Sequence, residues 1–178
     1  MRLMDGCVAA ITGPRWHDLR WLWIAAAGVV VGIALVTIVG WVTQPDPAHD
    51  AELGLELASA IARTQDGELL ALRSVTDAEF EPLEWDRVHI FAPYSTPELI
   101  EQELGFGWAA SADHSINMSD AIHLLVFVRN DAVVRFTELS RDFGNFAGPD
   151  LAGGYTPNEA VFAVVRASGQ LTLRLAPG

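Results

Sequence analysis

The chain has 178 residues, with 23 acidic residues against 11 basic ones and a formal net charge of −12 at pH 7. This acidity argues against nucleic acid as a partner, because its phosphates would be repelled, and against lying along an anionic lipid surface. The single cysteine, Cys7, is near the N-terminus, so the rest of the chain has no thiol for a disulfide, a nucleophile or a thiolate metal site.

Residues 21–42 contain no charged side chain and predict a transmembrane helix. At about 1.5 Å of rise per residue the run is roughly 33 Å long, enough to cross a hydrocarbon core of about 30 Å. Trp21, Trp23 and Trp41 suit the two membrane interfaces. The alternative is a cleaved signal peptide, but the apolar run exceeds the usual core of about 7–15 residues and residues 42–45 make a poor cleavage site.

The charges that flank this run predict its orientation. Arg2, Arg15 and Arg20 precede it, and no basic residue follows it until Arg63. The positive-inside bias therefore predicts a cytoplasmic N-terminus and an exported C-terminal part. Residues 45–178 carry eight arginines against 21 acidic residues, a formal charge of −13. The chain has no lysine, which we interpret as the codon bias of a GC-rich bacterial genome.

The predicted organisation has four parts. Residues 1–20 form a cytoplasmic tail, 21–42 the transmembrane helix, 43–50 a hinge and 51–178 an extracytoplasmic, periplasmic domain. The expected location is the bacterial inner membrane, crossed once.

Three glycines give the predicted span a face of small residues. Gly28 and Gly32 form a G-x-x-x-G pattern, and Gly40 lies eight residues further on, near the same face. Small residues at this spacing allow another helix to approach closely, whether it belongs to a second copy of the chain or to a different protein. The alternative is that Gly and Ala are simply common in membrane helices.

The first two elements after the span are a helix and an ambiguous segment. Asp50 predicts the N-cap of a helix that ends near Arg63. Residues 65–67 indicate a turn, and residues 68–75 favour a strand. The predicted apolar face of the helix comprises Leu53, Leu57, Ala60 and Ile61.

Alternating residues at 85–91 predict a strand that Pro93 ends. The next helix begins at Thr96 and Pro97, a hydroxyl cap followed by proline in the first turn, and it closes at Gly105. Its predicted apolar face comprises Leu99, Ile100 and Leu104.

Two hairpins complete the predicted fold. One joins 122–129 to 132–139 across Asn130 and Asp131, and the other joins 161–167 to 171–175 across 168–170. The exported part is therefore predicted to be α+β, with an antiparallel sheet of about five strands and two helices against one face.

One stretch resembles a pattern in a family of small, uncharacterised bacterial lipoproteins and membrane-anchored exported domains. It runs from Trp85 to Tyr94 as WDRVHIFAPY and continues with Thr-Pro-Glu at 96–98 and Leu-Gly-Phe at 104–106. The resemblance implies an extracytoplasmic bacterial domain and carries no activity with it. The chain departs from the lipoprotein type because no apolar run precedes Cys7, its one cysteine.

The loop at 140–158 is long for a compact domain, and such loops are often functional. It carries Arg141, Phe143, Phe146 and Tyr155, of residue types enriched at interface hot spots. These side chains either contact a partner or fold back and cover one end of the sheet, and both alternatives stay open at this point.

Asp113, His114, Asp120 and His123 are the one cluster that resembles a metal or catalytic site, with zinc as the candidate ion. Their spacing matches no helical or hairpin ligand motif, so neither a metal nor another cofactor is predicted. His89 is expected at the surface or at a sheet edge.

These patterns predict a non-catalytic accessory or assembly subunit of a bacterial membrane complex, for which respiratory and photosynthetic assemblies are suitable hosts. The exported domain would dock on the partner's extracytoplasmic face. One alternative is a membrane-tethered hydrolase or metal-dependent enzyme that uses the His/Asp cluster. Another is a sensor domain that acts through a partner.

Overall fold

The computed structural model of the chain describes residues 49–78, 83–112, 114–148 and 151–177. They form a mixed α+β fold. The α-helices are α1 (Ala51–Arg63), α2 (Leu72–Thr76) and α3 (Pro97–Leu104). The strands are β1 (Leu69–Ala71), β2 (Arg87–Phe91), β3 (Ile122–Arg129), β4 (Ala132–Ser140), β5 (Asn145–Ala147), β6 (Val161–Ala167) and β7 (Gln170–Leu175). Short 3-10 turns occupy Ala109–Ala112, Ser115–Met118 and Leu151–Gly153.

The described strands form two sheets, so the prediction of one sheet of about five strands was wrong. The first sheet has the order β2-β3-β4 and is antiparallel. The second has the order β1-β6-β7-β5, and β5 runs parallel to β7. Side-chain alternation indicates which face of a strand is buried, but it does not indicate which strand lies beside it.

The three-stranded sheet is buried on both faces, which explains the nearly continuous apolar sequence of β3. Leu125 and Phe127 face a core that the second sheet and α1 complete. Leu124 and Val126 face a separate core beneath α3. The two predicted helices therefore pack on opposite faces of this sheet, and the prediction that they share one face was wrong.

Helix α1 begins as predicted. The Asp50 carboxylate accepts a hydrogen bond from the Leu53 N–H at 2.9 Å and so caps the helix. Leu53, Leu57 and Ile61 are fully buried, whereas Ala60 is half-buried. Gly54 lets the helix approach β4, because a Cβ at this position would lie 2.7 Å from the Thr137 Oγ1.

Helix α3 also follows the predicted signals at both ends. The Thr96 hydroxyl accepts a hydrogen bond from the Leu99 N–H at 3.3 Å, and Gly105 ends the helix with a φ of 80°. Ile100 and Leu104 are buried as predicted, but Leu99 is 41% exposed and lies outside the apolar face. The segment at 68–75 was predicted as one strand and instead divides into β1 and α2.

Both predicted hairpins are confirmed. Asn130 and Asp131 have φ values of 51° and 56° and join β3 to β4. Ser168 and Gly169, with φ values of 52° and 80°, join β6 to β7, so this turn has two residues and not three. Positive φ at both central residues is the requirement of a two-residue hairpin turn.

Segments from elsewhere in the chain cover both edges of the three-stranded sheet. His49 forms a parallel bridge to Phe136 of β4, and the Asp50 N–H donates to the Phe136 carbonyl at 2.9 Å. At the other edge, Tyr155 and Val88 exchange two backbone hydrogen bonds of 2.8 and 2.9 Å. Covered edges protect a sheet from pairing with other chains.

Candidate functional site

The residues predicted to cross and flank the membrane lie outside the described part of the chain. They are Trp21, Trp23, Gly28, Gly32, Gly40 and Trp41. Among the residues that are described, the helices lack the length and apolar character needed to span a bilayer.

Arg141 braces the start of the loop at 140–158. Its Nε donates to the Asn145 Oδ1 at 2.9 Å, and its Nη1 donates to the Asp120 carbonyl at 2.7 Å. These bonds hold Asn145, the first residue of β5, against the beginning of β3. The loop thus contains a strand that sequence periodicity did not indicate, because three residues are too few to show alternation.

The three aromatic side chains of this loop have different environments. Phe146 is 4% exposed and packs edge-on against Phe162, with ring centroids 5.0 Å apart. Tyr155 is half-buried and also contacts Phe162. Phe143 is 52% exposed. Phe146 therefore covers the second sheet, while Phe143 and the exposed Arg141 remain accessible to a partner.

His123 links the loop to the three-stranded sheet. Its Nε2 lies 3.1 Å from the Asn145 Oδ1, and its Nδ1 lies 3.3 Å from the Phe91 carbonyl. Burial lowers the pKa of this imidazole, and the nearby Arg141 lowers it further. The hydrogen bonds to Asn145 and Phe91 oppose that shift without cancelling it.

The two histidines of the candidate metal cluster lie on opposite faces of the three-stranded sheet. His114 packs against Trp108 and Phe136, in the core beneath α3. His123 packs against Phe146, in the core between the sheets. Asp120 is exposed, and Asp113 lies outside the described residues. Within the described chain, groups of three or more His, Cys, Asp or Glu side chains suited to a metal ion are absent.

His89 lies in β2, an edge strand of its sheet, as one of the two expected alternatives had it, but its side chain is buried and not at the surface. It is 2% exposed and stacks on Phe91, with ring centroids 6.1 Å apart. Gly154 lies against the imidazole, because a Cβ there would be 2.8 Å from the His89 Cε1. Gly154 lies 65 positions after His89 in the chain, so local sequence patterns do not reveal that it covers this side chain.

A groove that the sequence reasoning missed runs along the solvent side of α1, between this helix and the β1–α2 segment. It has a volume of about 720 Å³, within the usual range of ligand pockets. One wall consists of α1 residues at helical spacing, namely Glu52, Leu55, Glu56, Ser59, Ala60 and Arg63. The opposite side comprises Glu68, Leu70, Ser74, Val75 and Ala78.

The groove combines acidic side chains with an exposed leucine. Leu55 is 66% exposed in the middle of the α1 wall. Glu52 and Glu56 lie one helical turn apart, and side chains of like charge at this spacing repel each other. Among the described residues, neither glutamate forms an ion pair. In the sequence, the helical spacing of residues 52, 55, 56, 59, 60 and 63 indicates that they share one face of α1. The opposite wall of the groove becomes apparent only in the folded chain.

No family model matches the chain, and comparisons with characterised proteins and with solved structures also give no significant match.

Proposed function

We propose that this protein is a non-catalytic, single-pass subunit of a bacterial membrane complex, whose exported domain docks on the extracytoplasmic face of a membrane-embedded partner. The observation that best supports this proposal is the contact of His49 and Asp50 with β4, only a few residues after the predicted span. Respiratory and photosynthetic assemblies remain the hosts that this proposal suits.

The contact at His49 limits the length of the tether, the segment that joins the predicted span to the domain. Six residues, 43–48, separate the predicted span from His49. At about 3.6 Å per residue they extend over roughly 22 Å at most. A domain on so short a tether acts on molecules at the membrane surface, because the tether raises the effective concentration of neighbouring membrane proteins.

The geometry of the polar residues favours docking over catalysis. His114 and His123 are separated by a buried sheet, so the alternative of a metal-dependent enzyme lacks a convergent pair of imidazoles. The domain instead exposes two apolar side chains that a docking partner would cover, Phe143 at 52% exposure and Leu55 at 66% in the acidic groove. The sensor alternative needs a partner with an output domain and therefore also requires docking.

Gentle detergent extraction followed by native gel electrophoresis and mass spectrometry tests this proposal. We expect the chain to migrate with at least one integral membrane protein. Gly28→Leu with Gly32→Leu should weaken the association, because the larger side chains prevent close helix approach. Val30→Leu, about half a turn away, is the matched control and should have no effect. A chain that migrates alone while known complexes stay intact would contradict the proposal.

A further inference from the structure

We propose that the acidic groove along α1 binds an extended, basic and partly apolar segment of another subunit. This inference rests on the proposed function, since it names the surface through which the exported domain docks.

The apolar part of the argument begins with the two faces of α1. Leu53, Leu57 and Ile61 face the core and are fully buried. Leu55 lies on the other face, 66% exposed, in a groove whose floor includes Leu70 and Val75. An apolar side chain in a concave surface gains free energy when a partner covers it. The groove therefore offers an apolar contact that the folded domain itself leaves open.

The charges of the groove select the partner. The charged residues that line the groove are three glutamates and one arginine, so the lining has a formal charge of −2. They are Glu52, Glu56, Glu68 and Arg63. A cationic side chain between Glu52 and Glu56 would remove their mutual repulsion and add an attraction at the same point. The acidic charge of the exported part repels anionic ligands. Arginine or lysine side chains on the bound segment meet these conditions.

The edge of the second sheet favours an extended conformation for this segment. Leu69 lies between two residues that line the groove, at the free end of the strand order β1-β6-β7-β5. The Glu68 carbonyl accepts from the Val164 N–H of β6, and the Leu72 N–H donates to the carbonyl of Ala160, just before β6, each at 2.9 Å. By the antiparallel alternation, Leu69 and Ala163 form a pair without hydrogen bonds. The N–H and C=O of Leu69 therefore point toward the free edge. A bound strand could pair with them, as in β-strand addition.

Photo-crosslinking of the full-length chain in its native membranes tests the inference. A photoreactive amino acid replaces Leu55, and the control replaces Leu99, which is 41% exposed on the opposite side of the three-stranded sheet. We expect an adduct at position 55 that is absent at position 99. Mass spectrometry of the adduct should identify a segment with net positive charge.

Charge variants then separate attraction from proximity. Glu52→Gln with Glu56→Gln should lower the adduct yield about fivefold, because two exposed ion pairs are lost. Asp120→Asn with Asp131→Asn removes the same charge from exposed positions elsewhere and should leave the yield unchanged. An adduct with a second copy of this chain, an adduct with a segment lacking positive charge, or a yield insensitive to the glutamates would overturn the inference.

The outcomes also separate this inference from the proposed function. If the chain migrates with a larger complex but position 55 gives no adduct, the groove is not the docking surface and the accessory-subunit proposal stands. If the chain migrates alone under the same conditions, the proposed function itself fails.

Discussion

The imidazole of His89 occupies the space that any side chain at position 154 would need. An ideal Cβ at Gly154 lies 2.8 Å from the His89 Cε1 and 2.9 Å from its Nε2, and Gly154 has a φ of 80°. The glycine therefore meets two requirements at once, close approach to a ring and a left-handed backbone. Through this contact, the segment that ends in Tyr155 covers both the edge of β2 and the buried histidine.

Replacing this glycine should be costly. Gly154→Ala should destabilise the fold by about 2–3 kcal/mol, since a clash with a buried ring adds to the backbone cost. Gly169→Ala is the matched control, because Gly169 has the same φ of 80° but nothing within 4 Å of its Cβ position. It should lose only about 1 kcal/mol. Urea denaturation monitored by tryptophan fluorescence measures both. Equal losses of stability in the two variants would show that the contact with His89 does not contribute to the cost of Gly154→Ala.

Replacement by valine should have opposite effects on stability at two buried threonines. Thr137 is fully buried, and its Oγ1 has no hydrogen-bond partner among the described residues. Thr76 is equally buried, but its Oγ1 accepts a bond of 3.0 Å from the Trp85 Nε1. Thr137→Val should stabilise the fold by about 1 kcal/mol, and Thr76→Val should destabilise it by about 1–2 kcal/mol. The same denaturation assay checks both, and two changes of the same sign would refute this account.

His123 should make stability depend on pH. Because burial lowers its pKa in the folded chain, the unfolded chain binds the proton more readily between the folded pKa and the unfolded value of about 6.5. The free energy of unfolding should therefore fall as pH drops through this window, by at most about 1.4 kcal/mol per pH unit, and this contribution should be complete above pH 6.5. His123→Gln should flatten the slope. An unchanged slope would mean that other groups cause it.

The predicted orientation can be tested with cysteine labelling. The native Cys7 lies before the predicted span, and Ser168, at the exposed turn between β6 and β7, offers a second position for a thiol. In intact cells a membrane-impermeant maleimide should label the Ser168→Cys variant in a Cys7→Ser background. It should not label Cys7 in the native chain until the membrane is permeabilised. Labelling of Cys7 in sealed cells would contradict a cytoplasmic N-terminus.

Local signals predicted α1, α3 and the two hairpins well, because each signal acts within a few residues. Asp50 and Thr96 bond to backbone groups three positions away, and Asn130 and Asp131 are of residue types that tolerate the positive φ of their turn. Such local preferences are legible in sequence.

The features that were predicted wrongly or missed depend on residues far apart in the sequence. β5 has three residues and is defined by its pairing with β7, 27 positions later. His89 is buried by Gly154, and α1 and α3 were assigned to one face although β3 buries both of its faces. The acidic groove was missed for the same reason, since its two walls are adjacent only after folding. Tertiary contacts of this kind override local propensity.

The contacts of Asp50 have a consequence for proteolytic cleavage just before α1. Asp50 caps α1 and donates to the edge of β4, and its carboxylate lies 3.3 Å from the Arg135 guanidinium. A protease that cuts before His49 would leave these contacts intact, and the fold with them. A cut after Asp50 would uncap the helix and open the β4 edge, which is then free to pair with other chains. Cleavage that preserves the fold and cleavage that exposes an aggregation-prone strand edge are thus separated by a few peptide bonds.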